Sequence, residues 1–598
     1  MLKPITDLFK YIKIYQIYLG YKMYIIYVLG IIASIFEGIG ILMLLPLLKT
    51  IDNSNSSKIS EDFLSRNVYD FINFIGFSNS ILSILILIVV SFILKGIMTF
   101  FALGFNAYLV GQLLKKIKTN LFVLYTKMTS GYYYSKNTGD LINIINEQPI
   151  KSLEAFKQLN LLCANIFNTI ILILLAFIAN TYFGFMAIIS GIILVLVFLK
   201  MNSYVQKLSR INASESGNLN KWLIQTLHGF KYLASTSQIS KVSKKIKSSI
   251  STLTSIQIKT GIASAFSQSI REPIAVVFIV IILFFQLYIY NLKLEPILVS
   301  LVLFYRALNS SLAVQSAFQA MFQHIGSMEL VHKEFLELQN NQEVDGEVEI
   351  PTMTTGFTLS NICFKYQNSN DNILNNISLN IPATSSVAFV GESGSGKTSL
   401  IDVLTTLNKH NSGELLIDGL NSKTIRASSW RKQIGYVSQD GLIFDDTITN
   451  NITLWDESNL NNNLNALKEA ATQANIIDFI ETLPEGFETK LGDRGVLISG
   501  GQKQRILIAR ELYKKPNLLI LDEATSALDS DSESKIQNSI DSLKGKITLV
   551  IIAHRLSTIK NVDCIYLLDK GEIVESGNYN QLINNNSFFS NFAKIQAL

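Results

Sequence analysis

The chain has 598 residues, of which 48% are hydrophobic and 16% charged, and its net charge is +5. That length exceeds what one hydrophobic core organises, and the apolar excess gathered before about residue 325 indicates a membrane half followed by a soluble half. The charge says little by itself, since in a membrane protein the placement of the lysines matters, and no nucleic-acid partner is expected.

Six stretches are apolar enough to span a bilayer, near 22–48, 79–103, 160–179, 182–201, 273–290 and 296–322. The first is too long, and lacks the cleavage signal, to be a secretory signal peptide. In it Glu37 sits within "SIFEGIGILMLLPLL". Between the first two spans, residues 60–76 place Leu64, Val68, Phe71, Ile72 and Ile75 on one helical face. This predicts a helix lying in the outer interface or a cap packed on the span ends. The second span carries Lys95, and patterns such as "LVGQLLKKIKTNLFVLYTKM" predict helices that continue well past the lipid.

The third and fourth spans are separated only by Asn180 and Thr181, which predicts a tight helical hairpin. After the fourth, residues 202–270 hold nine Lys or Arg against one acidic residue, Glu215. The positive-inside rule then makes both long loops and the N-terminus cytoplasmic, and six spans return the chain to that side. The last span carries Arg306. On straight helices Arg306 and Glu37 fall at one depth, about 15 Å from the outer face, with Lys95 further in. Either Arg306 pairs with Glu37 while Lys95 reaches for the headgroups, or two cations against one anion leave a positive cavity suited to an anionic headgroup. The three cysteines, Cys163, Cys363 and Cys564, show no CxxC or metal-ligand spacing and read as reduced.

The soluble half opens on motifs. "SSVAFVGESGSGKTSL" is a buried strand running into G-x-x-x-x-G-K-[ST], with Gly391, Gly394, Gly396, Lys397 and Thr398. Glycines let backbone N–H groups cradle phosphates, Lys397 supplies a point charge, and the Thr398 hydroxyl suits Mg²⁺. A helix opening at Ser399 favours the same anion. "IGYVSQD" carries a strand to Gln439. "ISGGQKQRILIARELY" sets Ser499, Gly500, Gly501 and Gln502 at a helix start, a second anion site. "NLLILDEATSALD" ends a strand in Asp522, suited to Mg²⁺, and Glu523, suited to a water. "LVIIAHR" leads to His554.

In this order the elements resemble the ATP-binding cassette transporters, specifically half-transporter exporters with six spans fused to one nucleotide-binding domain, over nearly the whole chain. The resemblance implies a helical membrane domain over 1–330, a linker over 331–355 and an α/β P-loop ATPase domain over 356–598. It implies ATP and Mg²⁺ as cofactors, with Thr398, Gln439 and Asp522 on the metal. Tyr366 would stack on adenine, Gln439 and His554 would sense and hold the γ-phosphate, and Glu523 would act on the attacking water. The family's LSGGQ signature appears with Ile498 in place of Leu, and the "LGDRG" loop has Asp493 where Glu is usual. "YYYSKNTGDLINIINEQ", with Gly139, Asp140 and Leu141, resembles the first coupling-helix region; "WLIQTLHGFKYLAS" resembles the second, with Gln225 in place of Glu.

One phosphate loop and one signature per chain imply a dimer, and the presence of both Glu523 and His554 favours a homodimer. A soluble cassette ATPase would lack spans, an importer would carry its permease separately, and a channel on this scaffold shares the same motifs. The "EGIG…PLL" string looks like flippases of lipid-linked saccharides and lipopolysaccharide precursors. The expected substrate is therefore a lipid moved across the bacterial inner membrane, with Glu37, Lys95 and Arg306 as candidate contacts; the alternative is a multidrug exporter of apolar cations.

Overall fold

The computed structural model describes residues 3–44, 47, 81–179, 181–285, 294–366, 369, 371–439, 441–456, 460–523, 530–553, 555–584 and 588–590. The helix expected at 60–76, and His554, lie outside the described residues. The chain divides into two compact units, Met1–Met128 with Ser135–Gln342, and Thr129–Tyr134 with Glu343–Leu598.

The first unit is helical. Lys22–Leu42, Ile81–Thr126, Thr138–Ile178, Gly184–His228 and Ile239–Ile281 are long and apolar enough to cross a membrane. The remaining expected span, 296–322, falls within the Leu294–Asn340 helix. Ile81–Thr126 alone has 46 residues, about 69 Å at 1.5 Å per residue, roughly twice the hydrocarbon thickness. The helices therefore project beyond the lipid, as their sequence pattern predicts. Leu303, Phe304, Leu308 and Leu312 pack on Leu172, Leu194 and Phe198, while Ala176, Ala187 and Ala307 let the backbones approach. Ile189, Ile192, Leu196 and Val197 remain exposed, as a lipid-facing surface requires.

Past the apolar section the contacts turn polar. Asn202 and Gln315 exchange two amide hydrogen bonds of 3.1 Å. Arg210 grips Glu329 with two donors at 2.7 and 2.8 Å, and Tyr11 of the Lys3–Leu19 helix donates to the same carboxylate at 2.9 Å. The "TGDL" string begins the Thr138–Asn146 helix, where a Cβ on Gly139 would lie 2.5 Å from the Lys221 backbone. Glycine there permits that close helix contact. By contrast, Phe230–Ser235, in the second resembling stretch, buries none of its residues.

The second unit carries two sheets. One is antiparallel, ordered β2 (Leu374–Pro382), β1 (Gly356–Phe364), β4 (Ser412–Ile417), β5 (Leu420–Asn421). The other runs β10 (Glu572–Gly577), β9 (Cys564–Asp569), β3 (Ser386–Val390), β8 (Thr548–Ile552), β7 (Leu518–Asp522), β6 (Ile434–Val437). From β9 to β6 it is parallel, with β10 added antiparallel. Every residue of β3, β7 and β8 is buried, because helices cover both faces of a parallel sheet and leave no polar side. In such sheets ligands bind beyond the carboxyl ends of the strands, where β3, β7 and β6 deliver their motifs.

Candidate functional site

The phosphate loop follows β3. Gly391 has φ +153 and Gly396 φ +104, and a Cβ on Gly391 would lie 2.1 Å from the Leu568 carbonyl oxygen, so only glycine closes this turn. A Cβ on Gly394 would meet nothing within 4 Å, leaving the mouth of the loop open for a phosphate. Lys397 starts the Lys397–Leu404 helix, two residues ahead of the predicted start, and donates to the Gly391 and Glu392 carbonyls at 2.8 Å each. Burial lowers the Lys397 pKa, opposed by the charges of Glu523 and Asp522. Thr398 is exposed in the same first turn, and the buried Ser395 hydroxyl has no partner among the described residues. A cradle of N–H groups at a helix start, a cation, an exposed hydroxyl and an orphaned one fit a nucleoside triphosphate.

Asp522 ends β7, and the Tyr436 hydroxyl of β6 donates to its Oδ2 at 3.2 Å. Gln439 donates to Glu523 at 2.6 Å. Glu523 itself has φ +52, a strained conformation for a non-glycine residue and one that clusters at functional sites. The structure thus brings Gln439, Asp522 and Glu523 together beside Lys397. No group of three or more His, Cys, Asp or Glu that could hold a metal occurs among the described residues. A hydroxyl and one carboxylate completed by phosphate oxygens is the set Mg²⁺ takes in nucleotide enzymes, so Thr398, Asp522 and Gln439 fit that ion.

Tyr366 hydrogen-bonds Ser399 at 3.3 Å and packs edge-on against Phe364, which places its ring beside the phosphate loop. Two neighbours carry no sequence signal by motif. Asp402, in the helix after the loop, has its carboxyl pushed up to about 6 by burial and by the Asp522 charge, against a hydrogen bond from Asn408 at 3.2 Å. Tyr436, raised by burial and Asp522, is legible only as a polar tip in an otherwise apolar strand.

Ser499 caps the Gly500–Tyr513 helix: its hydroxyl accepts from the Gln502 N–H, and the Gln502 side chain accepts from the Ser499 N–H, a full capping box. Gly500 is exposed, and next to this turn Val496 and Leu497 are 76% and 72% exposed. Among the described residues no hydrogen bond joins Ser499, Gly500, Gly501 or Gln502 to the phosphate loop of the same chain.

In the membrane unit Glu37 is buried and shared. Its Oε2 lies 2.8 Å from the Lys95 ammonium and its Oε1 3.3 Å from an Arg306 guanidinium nitrogen. Sequence depth anticipates the Arg306 pair; Lys95 joins it because the Lys22–Leu42 and Ile81–Thr126 helices pack side by side. One carboxylate against two cations leaves the cluster positive.

The ABC transporter transmembrane-region model matches residues 23–312, and the ABC transporter model matches 374–526. An ATP-dependent lipid A-core flippase of Haemophilus influenzae is 30% identical over 94% of each chain. A putative multidrug export ATP-binding/permease protein of Bacillus subtilis is 40% identical over 46% of this chain and 47% of its own. A solved bacterial Atm1-family ABC exporter with ATP bound shares the fold at TM-score 0.78, with 22% identity over 96% of this chain and 99% of that one.

Proposed function

The chain belongs to the ATP-binding cassette transporters, and from that premise we propose that it flips or exports an anionic lipid-linked saccharide or lipopolysaccharide-like lipid across the bacterial inner membrane. It is a multi-pass membrane protein that hydrolyses ATP and couples hydrolysis to transport. In this reading two copies pair, each nucleotide lying between the phosphate loop of one copy and the Ser499–Gln502 turn of the other. The exposed Val496 and Leu497 and the open signature turn support such a partner. Glu523, held by Gln439, orients and deprotonates the attacking water, and His554 holds the γ-phosphate. Thr398, Asp522 and Gln439 hold Mg²⁺, which when bound offsets charge on the phosphates. ATP favours the closed dimer and outward-facing spans; losing the γ-phosphate releases both.

The observation that carries the substrate class is the charge of the Glu37, Lys95 and Arg306 cluster. A net positive group inside the spans suits an anionic headgroup and disfavours apolar cations. Support also comes from the flippase relative, similar over both halves of the chain. The test is ATPase stimulation of the purified protein in liposomes by anionic lipid-linked saccharides and by cationic drugs. The anionic lipids are expected to stimulate; stimulation by the drugs alone overturns the reading.

A further inference from the structure

The membrane unit holds a cavity of about 270 Å³ between the Lys22–Leu42, Ile81–Thr126 and Gln148–Ala179 helices. Its volume is at the small end of ligand pockets, which run from about 300 Å³, so it suits one ring of a headgroup rather than a whole lipid. Besides the hydroxyls of Ser34 and Thr99, its polar lining is Glu37, Lys95, Asn106, Asn160, Asn165 and Asn168. Arg306 is not among the lining residues, and Glu37 and Lys95 pair at 2.8 Å, so the cavity wall is close to neutral. The positive excess of the cluster belongs to Arg306, whose side chain is 49% exposed.

A neutral wall of four amides is poor at holding a phosphate and good at holding hydroxyls. Each carboxamide offers donors and acceptors together, and each sugar hydroxyl needs one of each. The amides are also oriented. Tyr27 donates to the Asn160 carbonyl oxygen at 3.2 Å, and Asn160 in turn donates to the Asn106 carbonyl oxygen at 2.7 Å. That arrangement leaves the Asn106 amide nitrogen as a donor without a partner among the described residues. Asn168 also lines the cavity; its carbonyl oxygen is shielded and has no partner among the described residues, so the group it can present to a ligand is its amide nitrogen, for which no described residue supplies an acceptor.

We propose that this cavity is a saccharide subsite, in which Asn106 and Asn168 bind the hydroxyls of the sugar ring while Arg306 meets the phosphate that links it to the lipid. The proposal rests on the lipid-linked saccharide reading and adds to it a separate place for the sugar. It predicts that the ring, not only the charge, sets affinity.

The test uses the full chain in lipid nanodiscs and two probes, both phosphodiesters of one negative charge: a polyprenyl methyl phosphate as the sugar-free lipid, and the same polyprenyl phosphate carrying one hexosyl residue in place of the methyl group. Two net hydrogen bonds to the ring should make the hexosyl lipid bind about tenfold more tightly. Asn168→Leu should reduce that preference to about threefold while leaving the affinity for the sugar-free lipid unchanged. Asn106→Leu, on a different helix, should do the same, and serves if the first variant does not fold. Equal binding of both probes by the parent overturns the subsite and leaves the anionic-lipid reading standing. Binding of neither probe overturns both. A preference that survives both substitutions, or an equal loss of both probes in the variants, places the amides in a purely structural role and overturns the subsite.

Discussion

Replacing Glu37 by Gln keeps the side chain's shape and removes the one negative charge that two cations share. Glu37 is 5% exposed, with Lys95 at 2.8 Å and Arg306 at 3.3 Å. Removing one partner of a fully buried ion pair costs about 3–5 kcal/mol, chiefly because a desolvated charge is left behind. Here the cations are less enclosed than the carboxylate, since their side chains are 29% and 49% exposed. Discounting for that exposure leaves about 2 kcal/mol for Glu37→Gln. Thermal unfolding of the full chain in nanodiscs should therefore show a lower midpoint. Lys95→Met in the Glu37→Gln background should recover about half of the loss, because the more buried of the two stranded cations is gone; on the parent background it should cost less, as Glu37 keeps Arg306. An unchanged midpoint in Glu37→Gln, or purely additive effects of the two substitutions, would refute the shared-carboxylate argument.

Three further outcomes are expected. Glu523→Gln should lower ATP turnover by about 10²-fold or more while nucleotide binding persists, and Lys397→Ala should lose nucleotide affinity instead; near-parental turnover in Glu523→Gln would remove it from catalysis. Arg306→Ala should lower the amount of anionic lipid moved per ATP hydrolysed, with Arg306→Lys milder but not neutral if the phosphate contact is bidentate; an unchanged flux ratio in reconstituted vesicles would count against the contact. Asp402 binds its proton more tightly in the fold, at about 6 against 3.8, so its ionisation disfavours the native state by up to about 3 kcal/mol above pH 6 and not at all below about pH 4. Asp402→Asn should raise the melting midpoint at pH 8, with the gain fading toward pH 4; a gain independent of pH would point to a cause other than the carboxyl.

The nucleotide half was open to reading from sequence because its chemistry is local. Gly391 to Gly396 form one loop running straight into the helix that Lys397 and Thr398 begin, Ser499 to Gln502 form one capped turn, and Asp522 ends one buried strand with Glu523 next to it, so spacing along the chain already implies geometry. Helix lengths were legible for the same reason, since an apolar period that outlasts the bilayer persists as helix. What lay beyond the sequence depends on which elements become neighbours. Gln439 reaches Glu523 across 84 residues, Asp402 meets Asp522 only because β3 and β7 lie in one sheet, and Gly139 is glycine only because the Lys221 backbone passes close by. In the membrane half, charge and depth along separate helices could set Glu37 level with Arg306, yet nothing in the linear order brings Lys95 onto the same carboxylate or turns Asn106, Asn160 and Asn168 toward one cavity. Helix rotation and packing decide those contacts, and a pattern read along one helix carries no information about the helix it will face.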